Sequence, residues 1–277
     1  MQYSTFAAID IGSYDVILEI FEISKKQGIR SVDKICHRME LGKDTYTLGK
    51  IRPEMEEELC RVLADFVRIM EGYRVDAYRA MASSAISEAA NSLYVLGKIR
   101  QLTGLSVTVL SNSEQRFLGY KALAAMEDNF NKVIEKGTAI LDLDGGSFQI
   151  SLFDKDALVT TQNIRMGSLR VRERLAGIQS ETEHYEEMVE ELIWNEVSSF
   201  KKMYLKDRKI ENIMLIGDVF TDSVYQNIEE KTTKIISREN FNTWYEKIIR
   251  QSPMELAVKL GIPLENASLM YPSAVIY

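Results

Sequence analysis

Two stretches of the chain share one pattern, in which an apolar strand ends in an aspartate and is followed by a small-residue turn and a second apolar strand. They are FAAIDIGSYDVILEIFE, residues 6–22, and AILDLDGGSFQISLFD, residues 139–154. Each pattern is typical of a β-hairpin, and strands mixed with helices follow each hairpin. The repeat therefore predicts an α/β fold built from two domains of similar plan.

The first half of the chain is predicted to continue the hairpin with strands and helices. Apolar residues recur every three or four positions after Pro53, which indicates an amphipathic helix. Residues 42–51, GKDTYTLGKI, contain two glycines and no helical period, which predicts a loop. A second helix is expected over residues 85–104, with Gly104 as its stop signal. A third is expected over residues 111–130.

The second half restarts after Lys132 with the second hairpin, and the segment ENIMLIGDVF is expected to form a buried strand. We therefore predict one domain over residues 1–130 and another over 131–277, facing each other across a cleft.

Composition limits the classes of partner. The formal net charge of −7 disfavours a non-specific nucleic-acid binder. The N-terminus lacks a basic segment followed by a long apolar run, and no apolar stretch reaches the ~18 residues that span a bilayer. We expect a cytoplasmic protein with no membrane partner. Cys36 and Cys60 are expected to be reduced, and the scattered cysteines and histidines do not predict a zinc site.

The repeated turn has a chemical interpretation. Asp10 and Asp142 each end an apolar strand, and the turns that follow are aligned as Gly12-Ser13 with Gly146-Ser147, the second turn carrying two extra residues. Glycine permits close backbone approach, consecutive N–H groups can bind an anion, and a carboxylate can hold a metal ion. Ordinary hairpin turns are the alternative, but the repetition favours two phosphate-binding turns.

Motifs spread over most of the chain then resemble one family. AAIDIGSYDVIL is similar to its first phosphate loop, MASSAISEAAN to its third motif, and VTVLSNSEQRFLGYKAL to the segment with its catalytic glutamate. AILDLDGGSFQISLF is similar to its second phosphate loop, and RMGSLRVRERL and the tail to later motifs. The chain thus resembles the exopolyphosphatase / guanosine pentaphosphate phosphatase family of the actin/Hsp70/sugar-kinase superfamily. The resemblance implies two actin-like (ribonuclease H-like) α/β domains, each starting with a phosphate-loop hairpin.

The resemblance also implies a chemistry: Mg²⁺-dependent cleavage of a terminal phosphoanhydride in polyphosphate or a guanosine polyphosphate. Glu114 matches the general base, with a helix N-terminal glutamate as the simpler interpretation. Asp10 and Asp142 match metal-linked aspartates. The phosphate-binding residues implied are Gly12, Ser13, Gly145, Gly146 and Ser147. Arg170 and Arg172 are expected either to attract a polyanion or to be solvated helix charges. A homodimer is typical of the family.

Several positions depart from the family pattern. The phosphate-gripping arginine of the third motif is Ser87, and the second loop has Asp144 for a glycine and Gln149 for a glutamate. The remaining departures are Tyr14, Asp15, Gln115 and the turn at 216–219, which adds Asp218. Loss of an arginine–phosphate contact and gain of acids both weaken polyanion binding. The chain also stops at Tyr277, either because it is cut or because this member is short.

Three functions therefore remain open. An active phosphoanhydride hydrolase is supported by Asp10, Glu114, Asp142 and the glycine turns. A catalytically weak or inactive relative that binds a nucleotide or a protein is supported by the lost arginine and the added acids. A different chemistry on the same fold, such as a small-substrate kinase, is the third, because fold does not determine function.

Overall fold

The computed structural model describes residues 3–126, 130–179, 185–206, 208–217 and 237–277. The chain divides into two compact units, Met1–Phe117 and Leu118–Tyr277. Each unit contains one β-sheet, and the predicted domains 1–130 and 131–277 also contain one sheet each. The predicted domain boundary and cleft stay predictions. None of the helices in the described ranges is long and apolar enough to cross a membrane.

The first unit is built on a five-stranded sheet with the order β3-β2-β1-β4-β5. Its strands are β1 (Ser4–Ile11), β2 (Asp15–Ser24), β3 (Gly28–Arg38), β4 (Ala77–Ala82) and β5 (Val107–Val109). Its helices are α1 (Leu41–Leu48), α2 (Pro53–Gly72), α3 (Ser84–Ser87) and α4 (Ser92–Thr103), and α5 (Asn112–Met126) contains the division between the units. The first three strands are antiparallel, and β4 and β5 run parallel to β1.

Alternating apolar residues hold the first hairpin on the core. Ile9 and Ile11 of β1 and Val16 and Leu18 of β2 are buried, as period-two alternation requires for a sheet with one covered face. The predicted helix after Pro53 is confirmed as α2, and its buried face joins the same cluster. The hairpin is therefore fixed in place, with its turn at the end of the sheet.

The predicted loop at residues 42–51 is wrong, because most of it forms helix α1. Asp44 is only 2% exposed and accepts the backbone N–H of Arg52 at 2.9 Å. The Thr45 hydroxyl donates to the carbonyl of Ala85 at 2.7 Å. These tertiary contacts stabilise a segment of weak helix propensity, and Gly49 ends it in the left-handed conformation at φ +70°.

The single helix predicted over 85–104 is also wrong in part, because it is divided into α3 and α4. Asn91, at the break, receives the backbone N–H of Ile51 at 3.0 Å and donates to the Ile51 carbonyl at 2.8 Å. A side chain that binds backbone groups in this way favours a helix boundary over a helix interior. The predicted end at Gly104 is confirmed.

The second unit is built on a four-stranded sheet with the order β8-β7-β6-β9. Its strands are β6 (Thr138–Leu143), β7 (Phe148–Asp154), β8 (Ala157–Ile164) and β9 (Asn212–Ile216). Its helices, apart from the end of α5, are α6 (Phe130–Glu135), α7 (Ser168–Gln179), α8 (Tyr185–Tyr204), α9 (Arg238–Ile249), α10 (Pro253–Leu260) and α11 (Leu264–Ile276). The strands β6, β7 and β8 are antiparallel, and β9 runs parallel to β6.

The two sheets follow one plan, with three antiparallel strands and a fourth that lies parallel to the first. This is the strand arrangement of ribonuclease H-like domains. In the second sheet, α5 and α6 pack on one face through a cluster that includes Tyr120, Ile140 and Phe153. Strand β9 was predicted to be buried, which is wrong: it pairs with β6 at the end of the described sheet, and Ile213 is 58% exposed.

Candidate active site

The turns of the two hairpins have the same length. Ile11 pairs with Val16 in the first and Leu143 pairs with Phe148 in the second, so four residues lie between in each. In both turns the N–H of the first residue donates to the carbonyl of the fourth at 2.9 Å. The alignment with two extra residues is therefore wrong. The equivalent positions are Gly12 and Asp144, Ser13 and Gly145, Tyr14 and Gly146, and Asp15 and Ser147.

The first turn is held by a chain of hydroxyl groups. Ser13 is fully buried, and its Oγ lies 2.7 Å from the hydroxyl of Tyr46, which lies 2.9 Å from Oγ of Ser84. The carbonyl of Ser13 also accepts the N–H of Gly42 at 2.7 Å. The Ser13 hydroxyl thus links the turn to α1 and α3, and its contact with a phosphate stays a prediction.

The two acids of the first turn have different surroundings. Asp10 is exposed at the end of β1. Asp15 lies against Gly12, where an added Cβ would be 3.0 Å from the Asp15 carbonyl oxygen and 3.0 Å from its Oδ1. Burial raises the pKa of Asp15, and the nearby Arg38 opposes that increase. Gly12 is therefore required by the compact turn itself.

Helix α7 holds the second turn from one side. The N–H of Arg170 donates to the Gly145 carbonyl at 2.9 Å, and its Nε donates to the Gly146 carbonyl at 2.7 Å. An added Cβ at Gly167 would lie 2.1 Å from the carbonyl oxygen of Asp144, so only glycine fits there. Arg170 therefore positions the turn. Neither prediction for Arg170, attraction of a polyanion or a solvated helix charge, included this contact.

Arg172, the other arginine singled out in the sequence, is not a solvated charge. Its side chain is 13% exposed and is paired with Glu173, and its Nη1 donates to Oγ of Ser268 at 3.0 Å. These contacts tie α7 to α11, so Arg172 has a structural role. Attraction of a polyanion by Arg172 stays a prediction.

Asp144 places a carboxylate inside the second turn. Its Oδ1 accepts the backbone N–H of Gly145 at 2.6 Å. This N–H is one of the groups predicted to bind phosphate, and here it is bonded to the turn's own acid. Asp144 is therefore expected to weaken phosphate binding in two ways, by occupying the Gly145 N–H and by charge repulsion.

Asp142 lies among glycines that leave space around its carboxylate. An added Cβ at Gly119 would lie 3.6 Å from Oδ2, and one at Gly217 would lie 3.6 Å from Oδ1. Gly217 has φ +85°, a backbone conformation that favours glycine. Burial, followed by repulsion from Asp144, raises the pKa of Asp142 to about 6. A cation beside Asp142 would oppose both effects and favour the ionised carboxylate.

Asp142 is the first of three oxygen-bearing side chains in a row across the sheet. It pairs directly with Gln149, and Gln149 pairs directly with Asn163, so all three point to the same face. Gln149 Oε1 and Asn163 Oδ1 are buried and accept no hydrogen bond from the described residues. In the next row, by contrast, Ser151 Oγ is bonded to both Tyr120 and Thr161.

This row fits a hard cation. A carboxylate and amide carbonyl oxygens are the donors that Mg²⁺ and Ca²⁺ prefer, and buried oxygens without a hydrogen bond gain most from a ligand. The equivalent row of the first sheet is Asp10, Ile17 and Cys36, which lacks the amide oxygens. Asn163 was missed in the sequence, because only strand register shows that it follows Gln149.

Glu114 caps the first turn of α5. Its Oε2 accepts the N–H of Ser111 at 2.9 Å and the Ser111 hydroxyl at 2.7 Å, while its own N–H donates to the Ser111 Oγ at 3.3 Å. This is a capping box, and both bonds lower the pKa of Glu114. The simpler interpretation, a helix N-terminal glutamate, describes its local contacts, and its catalytic role stays a prediction.

The remaining departures have separate locations. Ser87 is exposed at the end of α3. Gln115 follows Glu114 in α5, and Tyr14 stands in the middle of the first turn. Asp218 lies outside the described residues. No group of three His, Cys, Asp or Glu side chains that could hold a metal occurs in the described ranges.

Comparison with known proteins decides the family. The model of the Ppx/GppA phosphatase family matches residues 19–277. The chain belongs to the Ppx/GppA phosphatase family. It is 21% identical over 238 residues to a bifunctional 3-dehydroquinate synthase/phosphatase of Fusobacterium nucleatum, covering 81% of this chain and 34% of that protein. It is 25% identical over 144 residues to exopolyphosphatase 1 of Mycobacterium leprae, covering 52% and 41%.

Solved structures of Ppx/GppA proteins have the same fold. An exopolyphosphatase from Cytophaga hutchinsonii aligns at TM-score 0.81 and 19% identity, covering 99% of this chain and 88% of that one. A family member from Aquifex aeolicus aligns at TM-score 0.74 and 20% identity, covering 99% and 89%. The predicted family and the predicted α/β fold with two actin-like domains are confirmed. The chain spans between a third and a half of the length of these curated relatives.

Proposed function

We propose that this Ppx/GppA chain hydrolyses the terminal phosphoanhydride bond of inorganic polyphosphate or of a guanosine polyphosphate. Membership of a phosphatase family supports the reaction type. The observation that carries the proposal is the equivalence of the two hairpins, which places Asp10 and Asp142 at matching positions before turns of equal length. Tight turns of this kind supply backbone N–H groups for anions.

Glu114 would act as the base on the attacking water. The water oxygen would form a bond to the terminal phosphorus while the bond from that phosphorus to the bridging oxygen breaks, and Glu114 would accept the water proton. Glu114 is ionised at neutral pH, as a base requires, although the Ser111 bonds that lower its pKa also make it a weaker proton acceptor. Both Ser111 bonds go to Oε2, which leaves Oε1 as the acceptor.

Mg²⁺ would be held in the second unit by Asp142, Gln149 and Asn163. In the first unit, Asp10 is the predicted metal-linked carboxylate. A bound Mg²⁺ supplies positive charge that neutralises phosphate oxygens. The chain's own contribution is to hold the second turn rigid, because Arg170 binds the carbonyls of Gly145 and Gly146. Ser147 would then present its N–H and hydroxyl to the phosphate.

A matched pair of variants tests this function. Glu255 forms the same capping box with Ser252 at the start of α10, with carboxylate bonds of 2.8 and 2.9 Å. We expect the wild type with Mg²⁺ to release orthophosphate from tripolyphosphate or guanosine pentaphosphate. Glu114→Gln should lower kcat by about 100-fold or more, while Glu255→Gln, which makes the same change in an equivalent cap, should retain the wild-type kcat.

Two results would contradict the proposal in different ways. Equal rates for wild type and Glu114→Gln would remove Glu114 as the base. Orthophosphate release at the level of a protein-free control, with every polyphosphate offered, would remove the hydrolase function. Comparing inorganic tripolyphosphate with guanosine pentaphosphate in parallel identifies the preferred substrate.

A second candidate function is binding without turnover. The bond between Asp144 and the Gly145 N–H favours it, because a carboxylate then stands where a phosphate oxygen would accept. Calorimetric titration with guanosine nucleotides, with and without Mg²⁺, tests it. Heat of binding in the absence of orthophosphate release would support nucleotide binding, and no heat with any nucleotide would leave only a protein partner.

A further inference from the structure

Arg38 lies beside the first turn, at the end of strand β3. It pairs in register with Asp15, the last residue of the turn, and the N–H of Met39 donates to the carbonyl of Tyr14 at 3.1 Å. The guanidinium carbon of Arg38 is 4.9 Å from the centre of the Tyr14 ring. The backbone and the stacked ring thus hold this arginine against the turn.

The guanidinium of Arg38 is short of hydrogen-bond acceptors. Its Nε and Nη2 are buried and find no hydrogen-bond partner in the described part of the chain. The neighbouring Asp15 acts on Arg38 through its charge but accepts no hydrogen bond from Nε or Nη2, and its Oδ2 lies 3.8 Å from the Cys36 thiol. Buried charged donors without acceptors destabilise a protein, so such a group indicates a ligand that completes it.

The second hairpin carries an arginine at the same place. Val16 pairs with His37 in the first sheet and Phe148 pairs with Ile164 in the second, so Arg38 and Arg165 are equivalent. A buried methionine follows each of them, Met39 and Met166. The repeat therefore extends past the hairpins to an arginine beside each turn. Each turn therefore has a positively charged residue beside it, which fits an anionic ligand at both turns.

We propose that Arg38 binds a phosphate group of the substrate at the first turn and supplies the positive charge that Ser87 lacks. This inference rests on the proposed function. A guanidinium offers two parallel N–H donors to two phosphate oxygens, a geometry that lysine cannot reproduce. The ring of Tyr14 lies against the guanidinium, so the phosphate would reach Arg38 by displacing this ring.

Binding of tripolyphosphate in the presence of Mg²⁺, measured by calorimetry, tests the inference without relying on turnover. Arg38→Met should weaken binding roughly tenfold or more, and Arg38→Lys should weaken it less. Arg30→Met is the matched control, because Arg30 lies on the same strand but is exposed and paired with Glu22 at 2.6 Å. It should bind tripolyphosphate as the wild type does.

Thermal unfolding separates a binding role from a structural one. In phosphate-free buffer Arg38→Met should unfold close to the wild-type temperature, because it removes two buried N–H groups without acceptors together with the positive charge that acts on Asp15. Tripolyphosphate should raise the unfolding temperature of the wild type and Arg30→Met more than that of Arg38→Met. A destabilised Arg38→Met protein with a wild-type response to tripolyphosphate would overturn the inference.

The outcomes distinguish this inference from the proposed function. If Arg38→Met and the wild type bind tripolyphosphate equally, Arg38 is not a phosphate ligand and the hydrolase proposal is unaffected. If the wild type neither binds nor hydrolyses tripolyphosphate or guanosine pentaphosphate, both are wrong. Loss of binding in Arg38→Met with retention in Arg30→Met supports the inference.

Discussion

The Asp144 carboxylate accepts the N–H of Gly145 at 2.6 Å, and the equivalent position of the first turn is Gly12. The two turns therefore differ at a residue that would affect the binding of an anion. In the second turn a negative side chain occupies an N–H group, whereas in the first turn this position has no side chain. The difference is local and can be reversed by substitution.

Replacing Asp144 should strengthen phosphate binding. Asp144→Gly removes both the charge and the bond to Gly145, and we expect tripolyphosphate to bind about tenfold more tightly. Asp144→Asn removes the charge alone and should give a smaller gain. Asp156→Asn, in the exposed turn between β7 and β8, is the control for net charge. Weaker binding in Asp144→Gly would show that the acid assists the ligand, for example through a cation.

The row of Asp142, Gln149 and Asn163 predicts a specific response to Mg²⁺. Asn163→Ala removes one amide oxygen and should weaken Mg²⁺ binding, while Gln149→Glu adds a carboxylate and should strengthen it, each by about tenfold. Isothermal titration with MgCl₂ measures both. Thr161→Ala, in the neighbouring row that is hydrogen-bonded internally, should leave Mg²⁺ binding unchanged. Identical affinities for all four proteins would place the metal elsewhere.

Gly167 should tolerate no side chain. Gly167→Ala would put a Cβ 2.1 Å from the Asp144 carbonyl oxygen, and overpacking of this kind costs about 1–3 kcal/mol or more in the free energy of unfolding. Gly97→Ala, in the exposed middle of α4 with nothing within 4 Å, should instead stabilise the chain by about 0.5–1 kcal/mol. Urea unfolding compares them, and equal stabilities would contradict the packing of α7 on the turn.

The hydroxyl of Tyr46 should contribute to the stability of the first unit. Tyr46→Phe removes its contacts with Ser13 and Ser84 and leaves the buried Ser13 hydroxyl without this partner. We expect a loss of about 1–2 kcal/mol in the free energy of unfolding. Tyr94→Phe, which changes a tyrosine that is 63% exposed, should have little effect. A neutral Tyr46→Phe would mean that water replaces the tyrosine hydroxyl.

The capping glutamates give stability a dependence on acid pH. The bonds from Ser252 lower the pKa of Glu255 from its ordinary value of 4.5. A carboxylate with a lowered pKa stabilises the fold above that ordinary value, and the contribution is lost as the pH falls through its pKa in the folded protein. We expect the wild-type unfolding temperature to fall below pH 4.5 by more than that of Glu255→Gln. Thermal melts between pH 6 and pH 3 measure this, and parallel curves would refute it.

Local pattern was sufficient for the hairpins and for α2. Ile9, Ile11, Val16 and Leu18 alternate as a sheet over a core requires, and the helix after Pro53 has the apolar period of a buried face. Helix α1 was missed because its stability comes from Asp44, which contacts a residue outside the helix. Contacts of that kind leave no local periodicity in the sequence.

The candidate site was predictable only where it depended on residue type. The sequence showed Asp142 at a strand end before the glycines of a tight turn. Matching the Gly-Ser pairs of the two turns, however, aligned Ser147 wrongly with Ser13. Hydrogen-bond register decides which residues are equivalent, and register is a property of two strands together. For the same reason Asn163 and Arg38 had no distinguishing signal before the strands were paired.

The equal length of the two turns bears on whether their segments can be exchanged. Residues 10–17 and 142–149 begin and end at matching rungs of their sheets, because Asp10 pairs with Ile17 as Asp142 pairs with Gln149. The two segments thus have matching attachment points on their strands and different chemistry. We expect a transplanted hairpin to keep the strand register of its new sheet and to lose the side-chain contacts that held its turn.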